Sequence, residues 1–187
     1  RNGKLIWQQN TVIPLRSPLK VVEHQYKPNM DYLVYYPQIE GMSDPHIQRE
    51  VNERLKDMSI LKNPGELVGN DQSADNGQPE GSYTGDFNVT FFQGELLVIE
   101  LNGYYFPFGA AHGMPSKIYA LVNVKDGKFY ELEQLFKRDS DYVNVLSDIV
   151  GKQIKEDPQY SYVFPDSYSG ISADQPFYVK EDALYLY

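Results

Sequence analysis

Few residues of this sequence carry the side chains that catalysis requires. The chain has no cysteine, and its three histidines are His24, His46 and His112. The lack of cysteine excludes disulfides, thiolate zinc sites and a cysteine nucleophile. No two histidines have a metal-ligand spacing, and neither a glycine-rich phosphate loop nor a nucleophile elbow is present. We therefore predict no catalytic residues, no metal, no cofactor and no enzymatic activity.

One histidine is a candidate binding residue. His112 lies between Ala111 and Gly113, and these small neighbours leave its ring uncrowded and let a backbone or ligand approach. The alternative is that both ring nitrogens bond to loop backbone, because buried polar groups are usually hydrogen-bonded.

Carboxylates dominate one long stretch of the chain. The net charge is −9, and no Lys or Arg occurs between Lys62 and Lys117. Such a surface repels nucleic acid and anionic lipid headgroups and attracts basic proteins or cations. The alternative is that acidity only keeps a secreted protein soluble. Seven carboxylates lie in this stretch: Glu66, Asp71, Asp75, Glu80, Asp86, Glu95 and Glu100.

Part of the same stretch has some features of a calcium loop. Asp71, Ser73, Asp75 and Gly77 have nearly the spacing of an EF-hand, but the glycine is one position late. The twelfth position is Ser82, where an EF-hand needs a bidentate Glu. We therefore expect an exposed, solvated loop here and no bound metal.

Aromatic residues are abundant, with 16 Tyr and 9 Phe. Exposed tyrosines bind proteins or sugars well because each combines a large apolar ring with a hydroxyl. Strand alternation buries about half of any aromatic run, so packing of the core and its rim is the alternative role. We take Tyr104, Tyr105 and Tyr168 as candidate binding residues, together with Asp71, Asp86, Glu95, Glu100 and His112.

Hydrophobic periodicity predicts two helices among short strands. Asp44 can cap the first helix, which has Pro45 at its first position and Ile47, Val51, Leu55 and Met58 on one face. Ser140 can cap the second. We predict helices over 44–62 and 140–156, and strands over 21–26, 32–36, 87–91, 96–101, 118–124, 129–132, 177–179 and 183–187.

The order of these elements is strand, strand, helix, hairpin, and then the same again. It predicts an α+β fold with two similar-sized halves, each a helix packed on antiparallel sheet. We place a lead-in at 1–19, the first half at 20–108 and the second at 109–187. The boundary falls near 107–115, and the last hairpin is expected to be truncated.

Several of these motifs also resemble a known family. The segment Tyr36 to Met42 (YPQIEGM), followed by Ile47-Gln48 and Val51-Asn52, is similar to a module of unknown function in PdaC-type peptidoglycan deacetylases. Ala111-His112-Gly113, the turn at 126–128, the segment 132–136 and the last hairpin resemble the domain that usually follows it. The same pair forms the extracellular region of RsiV-type anti-sigma factors, which bind lysozyme.

The resemblance implies an exported, extracytoplasmic module of the cell envelope that binds or senses a partner. We expect this chain, which begins with Arg1, to be a mature product or an ectodomain without a membrane span. A basic, lysozyme-like protein is the expected partner, and cell-wall glycan is the alternative. A third hypothesis, an accessory that acts on glycan directly, would need carboxylates that only folding could bring together.

Overall fold

The computed structural model describes residues 11–60, 81–163, 167–181 and 183–187. The chain divides into two compact units, Arg1–Phe129 and Tyr130–Tyr187, of which the first is more than twice as long. Each unit is described by itself below. Asp71 and the calcium-like loop around it lie outside the described residues.

The first unit contains one six-stranded sheet, with its strands in chain order across the sheet. The six strands form five neighbouring pairs. Four of them, β1–β2, β2–β3, β4–β5 and β5–β6, are antiparallel, whereas β3 and β4 pair parallel. The strands are β1 (Val12–Pro14), β2 (Lys20–Tyr26), β3 (Tyr32–Glu40), β4 (Gly81–Gln93), β5 (Leu96–Pro107) and β6 (Met114–Asn123).

The helix of this unit, α1 (Pro45–Ser59), begins as its sequence predicts. The Asp44 carboxylate accepts hydrogen bonds from the backbone N–H groups of His46 (2.8 Å) and Ile47 (3.4 Å). Pro45 occupies the first turn, where its missing N–H has no partner to lose. Val51 and Leu55 are buried, which confirms the predicted apolar face.

The main core lies between α1 and one face of the sheet. It contains Val51 and Leu55 of the helix together with Leu97, Ile99 and Leu101 of β5. These β5 residues alternate with positions on the opposite face, where Glu100 and Asn102 are partly exposed but Val98 is fully buried. A second, aromatic cluster of Val34, Tyr36, Tyr83 and Tyr105 continues the buried region.

The second unit has little buried apolar surface. Its described residues include the 3₁₀ helices Leu132–Leu135 and Pro158–Tyr160, helix α2 (Tyr142–Glu156) and the hairpin β7–β8 (Phe177–Lys180 and Ala183–Leu186). No residue of α2 is buried, and Val145 and Ile149 are exposed. The Tyr168 hydroxyl donates to the Ser147 carbonyl (3.1 Å), and the Ile171 N–H donates to the Ser147 hydroxyl (3.0 Å).

The α+β class and both helices are confirmed, but two similar halves are not seen in the described residues. Because β6 pairs with β5 over ten residues, one sheet runs across the predicted 107–115 boundary. The boundary between the two compact units falls between residues 129 and 130 of the sequence instead. The predicted strand 129–132 is reduced to a single bridge between Val122 and Phe129.

The start of α2 also differs from the prediction. Asp141, not Ser140, is the N-cap residue, and its side chain makes no capping hydrogen bond. Among the described residues, no helix has both the length and the apolar character needed to cross a membrane.

Candidate functional site

The outward face of β4, β5 and β6 carries a group of polar side chains. Cross-strand pairing places Asp86 opposite Asn102 and Asn88 opposite Glu100. It also places Tyr119 opposite Glu100 on the other side. Directly paired residues in a sheet have side chains on the same face. The six residues of this polar face are Asp86, Asn88, Glu100, Asn102, Lys117 and Tyr119.

Glu100 is the centre of this polar face. Its Oε2 accepts a hydrogen bond from the Tyr119 hydroxyl (2.6 Å) and pairs with the Lys117 ammonium (3.1 Å). Its Oε1 accepts from the side-chain amides of Asn88 (3.3 Å) and Asn102 (3.2 Å). Each carboxylate oxygen therefore has two donors.

These contacts determine the charge of Glu100. Burial alone would raise the pKa of its carboxyl, but hydrogen bonds from Tyr119, Lys117, Asn102 and Asn88 lower it to about 2. Glu100 is therefore ionised throughout the neutral and mildly acidic range, and it has no proton to give as a general acid.

A groove of about 250 Å³ lies beside this network. Its floor includes Gly85 and Gly103, which are paired across β4 and β5. The Asp86 side chain on its wall is exposed, and the aromatic ring of Tyr104 is 45% exposed. The other lining residues are Leu33, Tyr35, Thr84 and Asn102.

Tyr104 is placed by a glycine of the following loop. An added Cβ at Gly113 would collide with the end of the Tyr104 ring, including its hydroxyl. The ring can lie against the backbone here only because residue 113 has no side chain.

Comparison with known proteins identifies part of this unit. Residues 23–115 match the family model described as Deacetylase PdaC. This segment is PdaC-like. The predicted resemblance is thereby confirmed, and the polar face up to Asn102 lies in the PdaC-like segment. No curated protein matches the chain.

Two solved structures that resemble this chain are described as members of the DUF3298 family. A member from Bacteroides fragilis NCTC 9343 has a TM-score of 0.60 at 14% identity, covering 94% of this chain and 83% of its own. A DUF3298 protein from Pseudomonas aeruginosa PAO1 has a TM-score of 0.47 at 20% identity, covering 80% and 71%. The first of these likenesses shows a shared fold.

The motif residues of the PdaC-like segment join β3 to α1. The Asn52 side chain accepts from the Ile39 N–H (2.7 Å) and donates to the Ile39 carbonyl (2.9 Å). The Gln38 amide donates to the Asn52 carbonyl (3.0 Å). Pairing of β3 with β4 covers only residues 32–34 of β3, so Asn52 bonds the backbone of β3 where β4 does not.

Two further motif residues belong to the same junction. Gln48 accepts a hydrogen bond from the Met42 N–H (3.0 Å). Gly41 has φ of +86°, and an added Cβ would collide with the Pro18 carbonyl. These motif contacts connect structural elements, and none of these motif residues lines the groove.

Three predicted candidates are brought together at the groove and its border: Asp86, Glu100 and Tyr104. Tyr105, on the opposite face of β5, is 1% exposed and packs in the aromatic cluster. Tyr105 therefore has no open ring face for a ligand, because strand alternation turns it inward.

The remaining candidates lie elsewhere. Glu95 is beside the β4–β5 turn, where its carboxylate pairs with Lys125 at 3.5 Å. His112 is exposed in the loop between β5 and β6. Tyr168 belongs to the second unit, where it lies against Gly151. No group of three metal-ligating side chains occurs among the residues that the structure describes.

Sequence reasoning missed four residues of the polar face: Asn88, Asn102, Lys117 and Tyr119. Their alternation with apolar neighbours was visible within each strand. What joins them is the register between strands, which depends on where the Gly94 turn begins and on the irregular pairing between Val89 and Phe91. A shift of one residue would have turned each of them to the other face.

Proposed function

We propose that this chain is an exported binding module of the cell envelope that recognises a basic protein through the polar face and the adjoining groove. The observation that carries the proposal is Asp86. Its carboxylate is exposed at the groove, and among the described residues no cation pairs with it. An exposed carboxylate of this kind attracts and orients a positively charged partner.

The structure revises the charge argument made from the sequence. Of the carboxylates in the cation-free stretch, Glu95 and Glu100 are each paired with a lysine from beyond it, Lys125 and Lys117. Both lysines follow residue 116 in the sequence, and folding places them beside the two acidic residues. Among the described carboxylates of this stretch, we therefore assign the electrostatic contribution to Asp86.

Binding is favoured over catalysis by the positions of the shifted titratable groups. Glu100 and Tyr83 lie on opposite faces of the sheet, and burial raises the pKa of the Tyr83 hydroxyl. In the second unit, hydrogen bonding by Ser172 lowers the pKa of the Asp174 carboxyl. An acid–base pair would need such groups to converge in one pocket.

The test is binding to hen-type lysozyme, the partner class that the sequence resemblance suggests, at low and high ionic strength. We expect affinity to fall as salt rises, because exposed charges are screened. Asp86→Asn should weaken binding, and Glu95→Gln should leave it nearly unchanged, since Lys125 already neutralises that carboxylate. Absence of binding at low salt would reject lysozyme as the partner. Binding that ignores both salt and Asp86→Asn would reject this surface.

Cell-wall glycan is a second candidate ligand. The exposed ring of Tyr104 beside the groove favours it, because aromatic rings pack on the apolar faces of sugars. Soluble muropeptides should then shift the NMR signals of the groove residues, and Tyr104→Ala should abolish the shifts. Failure of muropeptides to perturb the groove would remove this candidate.

A further inference from the structure

We infer that the groove beside Asp86 is an anchor site for a single guanidinium group, such as an arginine side chain presented by the basic partner. This inference rests on the proposed function and names the chemistry of its central contact. It follows from the hydrogen-bonding capacity that the groove leaves unused, from its aromatic walls and from its size.

The amide of Asn102 has a determined orientation. Its Nδ2 donates to Asp86 Oδ1 (2.9 Å) and to Glu100 Oε1 (3.2 Å). A flipped amide would turn its oxygen toward two carboxylates, which is electrostatically unfavourable. Both amide hydrogens are therefore used, and the oxygen Oδ1 remains as an acceptor.

The unused capacity at this end of the groove consists of acceptors. Asp86 makes one hydrogen bond through Oδ1, so its Oδ2 has no partner in the part of the chain that the structure describes. Glu100 has two donors on each oxygen and offers nothing to a ligand. Asp86 and Asn102 together present an acceptor pair that carries a negative charge.

A ligand that matches this pair donates hydrogen bonds, and a positive charge on it adds electrostatic attraction to Asp86. A guanidinium offers five N–H donors in a plane and accepts no hydrogen bond. A sugar hydroxyl could also donate to this pair, but its oxygen would find donors only in the hydroxyl groups of Tyr35, Thr84 and Tyr104 along the groove, and it would gain no charge attraction to Asp86. The acceptor pair therefore favours the cation over a glycan.

The walls and the volume of the groove agree with a cationic side chain. Tyr35 and Tyr104 both line it, and guanidinium groups stack on aromatic rings. Its volume of about 250 Å³ is below the about 300–1,000 Å³ typical of sites for drug-sized ligands. The groove can thus hold one side chain, with the rest of the partner contacting the surrounding face.

The test uses the full chain and a small probe, N-acetyl-arginine N-methylamide, with its neutral citrulline isostere as control. We expect the arginine probe to shift the NMR amide signals of Gly85, Gly103 and Tyr104 and to saturate, and the citrulline probe to have at least tenfold weaker effects. Equal effects of both probes, or shifts scattered over the surface, would overturn the inference.

Single substitutions distinguish the contribution of the Asp86 charge from that of the Tyr104 ring. Asp86→Asn should weaken the arginine probe at least fivefold, whereas Glu53→Gln, which removes the same charge from an exposed site on α1, should not. Tyr104→Leu should weaken it, and Tyr104→Phe should retain it, because the ring is the contact. Gly113→Ala should also weaken the probe, because the added methyl group would displace the Tyr104 ring although no groove residue is replaced. An unchanged affinity in Asp86→Asn contradicts the inference.

Failure of the anchor-site inference can be distinguished from failure of the proposed function. Binding of the arginine probe without any binding of lysozyme would leave the anchor site standing and reject lysozyme as partner. Lysozyme binding that is unaffected by Asp86→Asn, with no response to the arginine probe, would keep lysozyme as the partner and reject the anchor site. A soluble muropeptide that shifts the same signals where the arginine probe does not would assign the groove to glycan.

Discussion

Glu100 accepts hydrogen bonds from four side chains, and its ionised form depends on the folded sheet. Two of its donors, Asn88 and Asn102, come from β4 and β5, and the other two, Lys117 and Tyr119, come from β6. The carboxylate therefore connects β4, β5 and β6 through side-chain contacts on the polar face. A charged group that is partly buried and fully hydrogen-bonded is costly to alter, because its partners would lose their bonds.

We predict that Glu100→Gln lowers the free energy of unfolding by up to about 3 kcal/mol at neutral pH. Glutamine keeps one acceptor oxygen but introduces an NH₂ group that faces donors. The pKa of Glu100 falls from 4.5 to about 2 on folding, so its stabilising effect is complete above pH 4.5 and is lost as the pH falls toward 2. Urea unfolding at several pH values should show the two proteins converging in acid.

Glu95→Gln is the matched control for this prediction. Its carboxylate is 43% exposed and pairs with Lys125 at 3.5 Å. Exposed pairs of this kind contribute about 0–1 kcal/mol. A loss in Glu95→Gln as large as that in Glu100→Gln would show that the hydrogen-bond network is not the cause.

At the scale of elements, α1 takes the place of a strand beside part of β3. Asn52 bonds both backbone groups of Ile39, which in a longer sheet would pair with β4. The motif that carries the PdaC resemblance in the sequence therefore encodes a junction between a helix and a strand. This explains why Gln38, Gln48 and Asn52 are polar although they lie near the core: each makes a hydrogen bond to a backbone group of the junction.

We predict that Asn52→Ala destabilises the first unit by about 1–3 kcal/mol, because it leaves the N–H and carbonyl of Ile39 without their partner. Glu53→Ala, at the next and exposed position of α1, should change stability by no more than about 0.5 kcal/mol. Thermal or urea unfolding measures both. Equal effects of the two substitutions would contradict the role assigned to Asn52.

At the scale of the whole molecule, buried apolar residues are concentrated in the first unit. Among the described residues of the second unit, the buried apolar residues are Leu132 and Phe177. A unit that buries so little surface gains little hydrophobic stabilisation to oppose the entropy of the unfolded chain. The two units should therefore differ greatly in stability when separated.

We predict that a fragment of residues 1–129 folds cooperatively on its own and that a fragment of residues 130–187 does not. NMR dispersion and the cooperativity of urea unfolding would measure this for each fragment. A folded 130–187 fragment would show that its exposed helix and hairpin are more stable than their burial indicates. An unfolded 1–129 fragment would show that the six-stranded sheet depends on the second unit.

Local signals in the sequence were sufficient to predict several features of the fold. Helix α1 followed from its Asp44 cap, its Pro45 and its apolar spacing, all of which act within a few residues. Most strands followed from alternation, and the PdaC resemblance followed from the motif around Tyr36 to Asn52. The α+β class needed only the types and order of these elements.

Only the tertiary structure decided which residues meet. The continuous β5–β6 pairing moved the boundary between the units, and strand register gathered Asp86, Glu100 and Tyr104 while turning Tyr105 into the core. Folding also brought Lys117 and Lys125 back to the acidic residues. Register and long-range ion pairs depend on contacts between distant parts of the chain, and the alternation within one strand is the same whichever residues it faces.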